Sequence, residues 1–302
     1  RCVSHPQETT PLHCCAMVRF STALALLAVS SATRSSRAFT KLSFVGARIS
    51  PQLFSSTSGT LDMAGVAESF KQVQANVATA GDGRDVRLVA VSKTKPLDLL
   101  VEAYESGCRI FGENYAQELV EKAKEMPNDI HWHFIGPLQS NKANMLVKGV
   151  IPNAASLTVE TVATIKLANK LNKAMTDCKA ENDITDDTKL VVFVQINTSG
   201  EESKSGLSPG PEVTEICKHI MNSCSALQLK GLMTIGAPGD LDCFGVLSKC
   251  RDDVSEALGV EPSSLELSMG MSGDYEAAIT NGATNVRVGS VIFGQRDYSN
   301  LK

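Results

Sequence analysis

From Asp85 onward, short apolar runs rich in Val and Ile alternate with longer stretches whose apolar residues recur every three or four positions. The runs predict strands at 87–92, 109–113, 131–136, 189–197, 227–235, 264–269 and 285–293. A weaker run, 149–156, is the candidate fourth strand in chain order. Helices are expected between them. Leu97, Leu100, Val101 and Tyr104 share one face of the first, and Ala116, Leu119, Val120 and Ala123 share one face of the second. Residues 157–173 and 241–258 also carry helical spacing, and a further helix at about 62–79 precedes the first strand. The polar, acidic stretch 176–188 reads as a surface loop.

Strict alternation of strand and helix implies a parallel sheet with right-handed crossovers. Eight strands in about 215 residues fit a single (β/α)8 TIM barrel, for which ~250 residues is typical. The alternative is a doubly wound open sheet. A dinucleotide fold of that kind would favour G-x-G-x-x-G after the first strand, and none stands there.

Composition divides the chain. Of 302 residues, 43% are apolar and 21% charged, which excludes wholesale disorder. No run of 18 apolar residues occurs, so a spanning helix is not expected. A net charge of −4 argues against a coat for nucleic acid or anionic membrane. That charge is unevenly spread: residues 1–60 carry +5 and residues 61–302 carry −9. Segment 1–60 is rich in Ser, Thr, Ala and Arg, the composition of an organelle transit peptide. Within it Met17-Val18-Arg19 precedes the apolar run Ala23–Val29, and Ser36-Arg37-Ala38-Phe39 follows. This resembles the two-part plastid leaders of algae with secondary plastids. Residues 1–60 are therefore expected to be a disordered or cleaved targeting leader, with residues 1–16 upstream of the start. The expected destination is a plastid in preference to a mitochondrion, or the cytoplasm if the leader is not used. Residues 61–302 are expected to form the working domain. Six cysteines in that body form no C-x-x-C pair, so buried reduced thiols are expected rather than a zinc or redox site.

In such a barrel the chemistry lies at the C-terminal ends of the strands. Lys93 follows the apolar run Leu88–Val91, and alternation puts it on the same face as Val89 and Val91. If that face is the interior, partial desolvation favours the neutral amine, a nucleophile toward carbonyls. A solvated lysine is the plain alternative, and Lys95 is the other candidate amine. Ser268, Gly270, Ser272 and Gly273 at the end of the seventh strand, with Gly289 and Ser290 at the eighth, offer hydroxyls and amides where barrels often bind phosphate. Ordinary turn chemistry would look similar. Arg287 stands inside an apolar strand and needs a partner. That partner is a ring nitrogen, a phosphate or a carboxylate, the last in a structural ion pair with Glu113 or Glu266. A lysine, a phosphate corner and an arginine on one rim point to a phosphate-bearing aldehyde, pyridoxal phosphate.

Six segments carry a resemblance: Val89–Pro96, Phe111–Tyr115, His133–Lys142, Gly231–Ile235, Leu267–Ser272 and Val286–Ser290. In this order they resemble the pyridoxal-phosphate homeostasis proteins over about 62–298. The resemblance implies one barrel of the alanine-racemase N-terminal type that binds pyridoxal 5′-phosphate. It implies Lys93 as the Schiff-base lysine, Arg287 at the ring nitrogen, and Ser268, Ser272, Gly289 and Ser290 as the phosphate cradle. It further implies Asn114 and Asn197 in the pocket wall. The implied role is cofactor homeostasis and delivery without established turnover, with apo forms of pyridoxal-phosphate enzymes as candidate recipients and a monomer as the default state. Two departures stand out: 149–156 lacks the family's polar end to strand four, and 1–60 has no counterpart in compact bacterial members. The resemblance also implies that an arginine at the ring nitrogen weakens the ring as an electron sink, but alanine racemases share that feature and turn over, so the arginine alone does not decide between binding and catalysis. The eight residues after Gly294 are expected to be too few for the extra β domain of a racemase. The alternatives are an amino-acid racemase and a binder of another phosphorylated metabolite.

Overall fold

The structure, a computed structural model, describes residues 65–201, 205–237 and 239–295; the expected leader, 1–60, lies outside them. Helix α1 (Val66–Gly81) precedes a run of strand–helix units. These are β1 (Arg87–Val91) with α2 (Leu97–Glu105), β2 (Ile110–Glu113) with α3 (Ala116–Glu125), and β3 (His131–Phe134) with α4 (Ala143–Val150). Then come β4 (Ser156–Val162) with α5 (Ile165–Asn182), β5 (Leu190–Gln195) with α6 (Pro211–Ser223), and β6 (Leu227–Met233) with α7 (Asp242–Leu258). The last are β7 (Glu266–Ser268) with α8 (Tyr275–Thr280) and β8 (Asn285–Val288) with α9 (Ser290–Phe293). Each strand pairs in parallel with the next, and β8 pairs with β1, closing the barrel. The expected (β/α)8 TIM barrel is thus the observed architecture.

Alternation along each strand sorts the residues. Ala90, Phe111, Trp132 and Leu157 stand in register on adjacent strands and face the helices, where all four are buried. The Phe111 and Trp132 rings tilt against each other with centroids 5.7 Å apart, a favourable aromatic geometry. The alternate residues face the barrel interior, and there the composition changes. His133, Thr158, Glu160, Ser268, Asn285 and Arg287 are all buried polar groups. Such an interior is stable only if every member is hydrogen-bonded.

Several sequence expectations need correction. Residues 149–156 are not a strand: Ala143, Leu146, Val147 and Val150 form the buried stripe of α4, and a 3-10 turn at Ile151–Asn153 ends it. The fourth strand is Ser156–Val162, inside the span expected to be helical. Its outward Leu157 and Val159 are apolar and its inward Thr158 and Glu160 are polar, so its burial on both faces is invisible in the pattern. The helix expected at 157–173 begins only at Ile165, where the Thr164 hydroxyl caps Leu167 N–H, and it runs on through much of the stretch read as a loop. Strand eight ends at Val288, because Gly289 turns the chain and Ser290–Phe293 coil as α9. On α2 the buried residues are Leu100 and Ala103, whereas Leu97 and Val101 are exposed. The six body cysteines are free and buried, as their spacing suggested. Among the described residues no helix is long and apolar enough to cross a membrane.

Candidate functional site

A cavity of about 280 Å3 opens at the C-terminal ends of the strands, near the ~300 Å3 lower bound usual for small-molecule pockets. Its wall brings together Lys93 from the end of β1, Asn114 from β2, Ser272 and Gly273 from the β7–α8 loop, and Arg287, Gly289 and Ser290 from β8 and its exit. Val91, Ile135, Ile235 and Met271 supply apolar surface, and Lys95 also reaches the wall. A larger hollow of about 670 Å3 around Lys179, Asp183 and Ser225 lies by residues that lead into β5 and β6, at the opposite end of the barrel.

Two expected residues do not line this cavity. Asn197 is engaged in the loop after β5: its amide nitrogen donates to Glu201 O at 2.9 Å and its side-chain oxygen accepts from Ser199 Oγ at 3.1 Å. It braces that loop instead. Ser268 is completely buried below Arg287, because β7 ends there and only the following loop rises to the rim. Its hydroxyl belongs to the barrel interior, not to an anion cradle.

Lys93 sits at the centre of a tight turn. Lys95 N–H donates to Ser92 O at 3.1 Å, closing a four-residue turn with Lys93 and Thr94 inside it. Lys93 is partly buried and follows Val89 and Val91 on the inward face. Thr94 takes φ 61°, a left-handed conformation that a β-branched residue rarely adopts. The Lys95 ammonium donates to Gln295 O at 2.8 Å.

Arg287 is buried and fixed at both ends of its fork. Nη1 donates to Ser268 Oγ at 2.5 Å and Nη2 to Thr234 O at 2.7 Å. Its counter-charge is Glu160, Nη1 to Oε2 at 3.7 Å. Neither carboxylate expected as a structural partner serves: Glu113 pairs with Lys122, and Glu266 with Arg87 and Lys230. Glu160 also accepts from Ser268 Oγ at 2.5 Å and Asn285 Nδ2 at 2.9 Å, and pairs with His133 Nδ1 at 2.5 Å. Burial alone would raise the Glu160 pKa, but His133, Arg287 and Ser268 together outweigh it and hold it at about 2. Burial lowers the pKa of Arg287, and Glu160 and Asp274 only partly offset it. Glu160, His133, Asn285 and Thr234 were missed as site residues. Glu160 could have been found only by placing the fourth strand correctly.

The far corner of the cavity is built from small residues. Gly289 N–H donates to Ser272 Oγ at 3.1 Å, tying the β7 and β8 loops together. A Cβ on Gly289 would lie 3.1 Å from Val91 O and 3.2 Å from Val91 Cβ, so the chain approaches β1 closely there. Among the described residues, the buried side-chain atoms without a hydrogen-bond partner are Glu113 Oε2, Asn114 Oδ1, Trp132 Nε1 and Asn285 Oδ1, and of these residues Asn114 lines the cavity. Such an acceptor in a cavity wall is costly unless a bound donor meets it. An amine, a buried cation, an open acceptor and a corner of hydroxyls and amides therefore surround one space. That set suits a small polar molecule bearing an anionic group.

No protein-family model matches the chain. A pyridoxal phosphate homeostasis protein of Bos taurus is 49% identical over 224 residues, covering 70% of this chain and 78% of that one. PipY of Synechococcus elongatus, solved without PLP and with PLP bound, superposes with TM-scores of 0.60 and 0.59 at 27% and 28% identity. Both superpositions cover 76% of this chain and all of PipY. Alanine racemase of Clostridium difficile shares the fold alone, with a TM-score of 0.58 at 15% identity over 76% of this chain and 60% of the racemase. On these likenesses the chain belongs to the pyridoxal phosphate homeostasis protein family.

Proposed function

We propose that this protein binds pyridoxal 5′-phosphate through Lys93 and holds it for homeostasis and delivery, without turning over an amino-acid substrate. The observation that carries this reading is the convergence of Lys93, Arg287 and the Ser272–Gly289–Ser290 corner on one cavity. When bound, the cofactor supplies an aldehyde, a phosphate ester and a pyridine nitrogen. Lys93 would add its amine to the aldehyde carbon, forming a C=N Schiff base with loss of water. Ser272, Gly289 and Ser290 would hold the phosphate, and Asn114 Oδ1 would accept from a ring substituent. PipY, a relative solved with PLP bound, supports the same ligand.

The charge of Arg287 supports holding over catalysis. A guanidinium donates hydrogen bonds and accepts none. Facing the ring nitrogen, it requires that nitrogen to be an unprotonated acceptor, which weakens electron withdrawal by the ring. Glu160, ionised and paired with Arg287, keeps the guanidinium charged. The family's homeostasis name points the same way.

The test is spectroscopic. Wild-type protein mixed with pyridoxal 5′-phosphate should develop visible absorbance that Lys93→Ala abolishes; a wild type that takes up no cofactor overturns the reading. Retention of the band in Lys93→Ala would move the amine to Lys95. Steady exchange of the α-proton of L-alanine in deuterated water, at enzyme-like rates, would replace the carrier reading by a racemase. We propose further that residues 61–302 act as a monomer and that the basic, Ser-rich residues 1–60 address the protein to an organelle, a plastid before a mitochondrion. Mass determination of the mature N-terminus tests the address. Mixing the loaded protein with an apo pyridoxal-phosphate enzyme tests delivery.

A further inference from the structure

Behind the lysine turn lies a cluster of charge that the cofactor site does not use. Lys122 of α3 is buried, and its ammonium donates to Ser92 O at 2.8 Å, Glu113 Oε1 at 2.7 Å and Glu118 Oε1 at 2.6 Å. Glu113 is completely buried and accepts a second bond from Ser92 Oγ at 2.6 Å. Glu118 Oε1 also accepts from Thr94 N–H at 2.7 Å. Every member of this cluster therefore ends on the segment that carries Lys93.

Three facts set the cluster apart from ordinary packing. Removing a lysine and a glutamate from water is unfavourable unless partners replace the water, and Glu113 finds its partners, Lys122 and Ser92, through Oε1 alone, its buried Oε2 having none. The cluster is bonded not to neighbouring helices but to Ser92 and Thr94, on either side of Lys93. Thr94 holds φ 61°, where the third position of such a turn ordinarily wants Gly or Asn. A left-handed threonine persists only where its surroundings over-determine it. Here the Glu118 carboxylate on its N–H supplies that constraint. Thr94 is itself exposed, so its side-chain packing does not explain the conformation.

We propose that the Glu118–Lys122–Glu113 cluster is a positioning clamp: it holds the strained Ser92–Lys95 turn and thereby aims the Lys93 amine into the cavity. The proposal rests on the cofactor reading above, deepening it by naming what places its lysine. Glu118 and Lys122 are positioning residues and touch no ligand.

A rescue experiment tests the clamp. Glu118→Ala, at the partly exposed end of the cluster, removes the acceptor from Thr94 N–H. It should weaken association with pyridoxal 5′-phosphate by about tenfold, about 1.4 kcal/mol. The same substitution should speed hydrogen exchange of the Thr94 amide. Adding Thr94→Gly to it lets the turn adopt its left-handed conformation unaided, and should restore affinity to within about twofold of wild type. A merely structural role predicts no such rescue. Lys122→Met, which leaves Glu113 buried without its cation, serves as a second variant and should respond to Thr94→Gly in the same direction. Glu118→Ala binding as tightly as wild type, or a double variant as weak as the single one, overturns the clamp. If the wild type takes up no cofactor, the site reading fails separately. The clamp is then judged on the cofactor-free protein, by the rate of reductive methylation of Lys93 with formaldehyde and cyanoborohydride. That rate should change in Glu118→Ala and return with Thr94→Gly, and an unchanged rate overturns the proposal.

Discussion

Arg287 and Glu160 meet inside the barrel with Nη1 3.7 Å from Oε2, and the Ser268 hydroxyl spans them, accepting from Arg287 and donating to Glu160, each at 2.5 Å. Glu160→Gln keeps the shape and removes the charge, leaving Arg287 as a buried cation without its paired carboxylate and with only Asp274 to offset its burial. Loss of one partner of a buried pair costs about 3–5 kcal/mol. The variant should lose that much in urea unfolding. It should also bind pyridoxal 5′-phosphate more weakly, since Arg287 lines the cavity.

Acid should act through the same carboxylate. Its folded pKa of about 2 lies below the ordinary 4.5, so its stabilisation is present in full above pH 4.5. It is lost as pH falls from there toward 2. Unfolding free energy measured at pH 6, 4 and 3 should fall steeply in wild type. In Glu160→Gln the same series should be flatter, from a lower starting point.

Glu113 predicts the opposite slope. Burial raises its pKa to about 7, with Glu118 adding to the rise and Lys122 and Ser92 only partly offsetting it. A carboxyl whose folded pKa is raised favours the folded state while protonated, so its contribution declines as pH rises from about 4.5 to about 7 and is constant above. Urea titrations at pH 5 and pH 8 should show this decline in wild type. Glu113→Gln should lack it, and an equal decline in both proteins would remove Glu113 as its source.

These interior groups mark where the sequence stops being readable. The barrel is legible because seven of its strands fall in short apolar runs, the clearest of them rich in Val and Ile, separated by helical spacing. Of the residues that line the cavity, Lys93, Ser272, Gly289 and Ser290 are legible from strand ends and the turns beyond them, Arg287 as a charge inside an apolar strand, and Asn114 through the resemblance alone. The fourth strand is not, because Thr158 and Glu160 are polar for the sake of partners on other strands. Glu160 is bonded to Ser268, Asn285 and His133, which lie 108, 125 and 27 residues away. No local pattern encodes a contact of that kind. Ser268 was misplaced for a related reason: a serine closing a strand reads as loop chemistry until the strand end is seen to lie below the rim. Asn197 faces its own loop, a choice set by Ser199 and Glu201 after it rather than by alternation along β5.

Two glycines near the mouth should behave oppositely when given a methyl group. A Cβ on Gly136, after β3, would lie 2.0 Å from Asn114 O and 2.7 Å from its Cα, both backbone atoms that cannot swing aside. Gly136→Ala must therefore push the β2 exit away from β3, at a cost of about 1–3 kcal/mol for overpacking. That movement carries the side chain of Asn114 with it, so cofactor affinity should fall together with the melting temperature. A Cβ on Gly273 meets no atom within 4 Å, and Gly273→Ala should stay within about 0.5 kcal/mol of wild type in stability. Melting curves of the two variants side by side check the contrast. Equal stability of both would mean that the β2 and β3 exits do not approach as closely as the glycine requires.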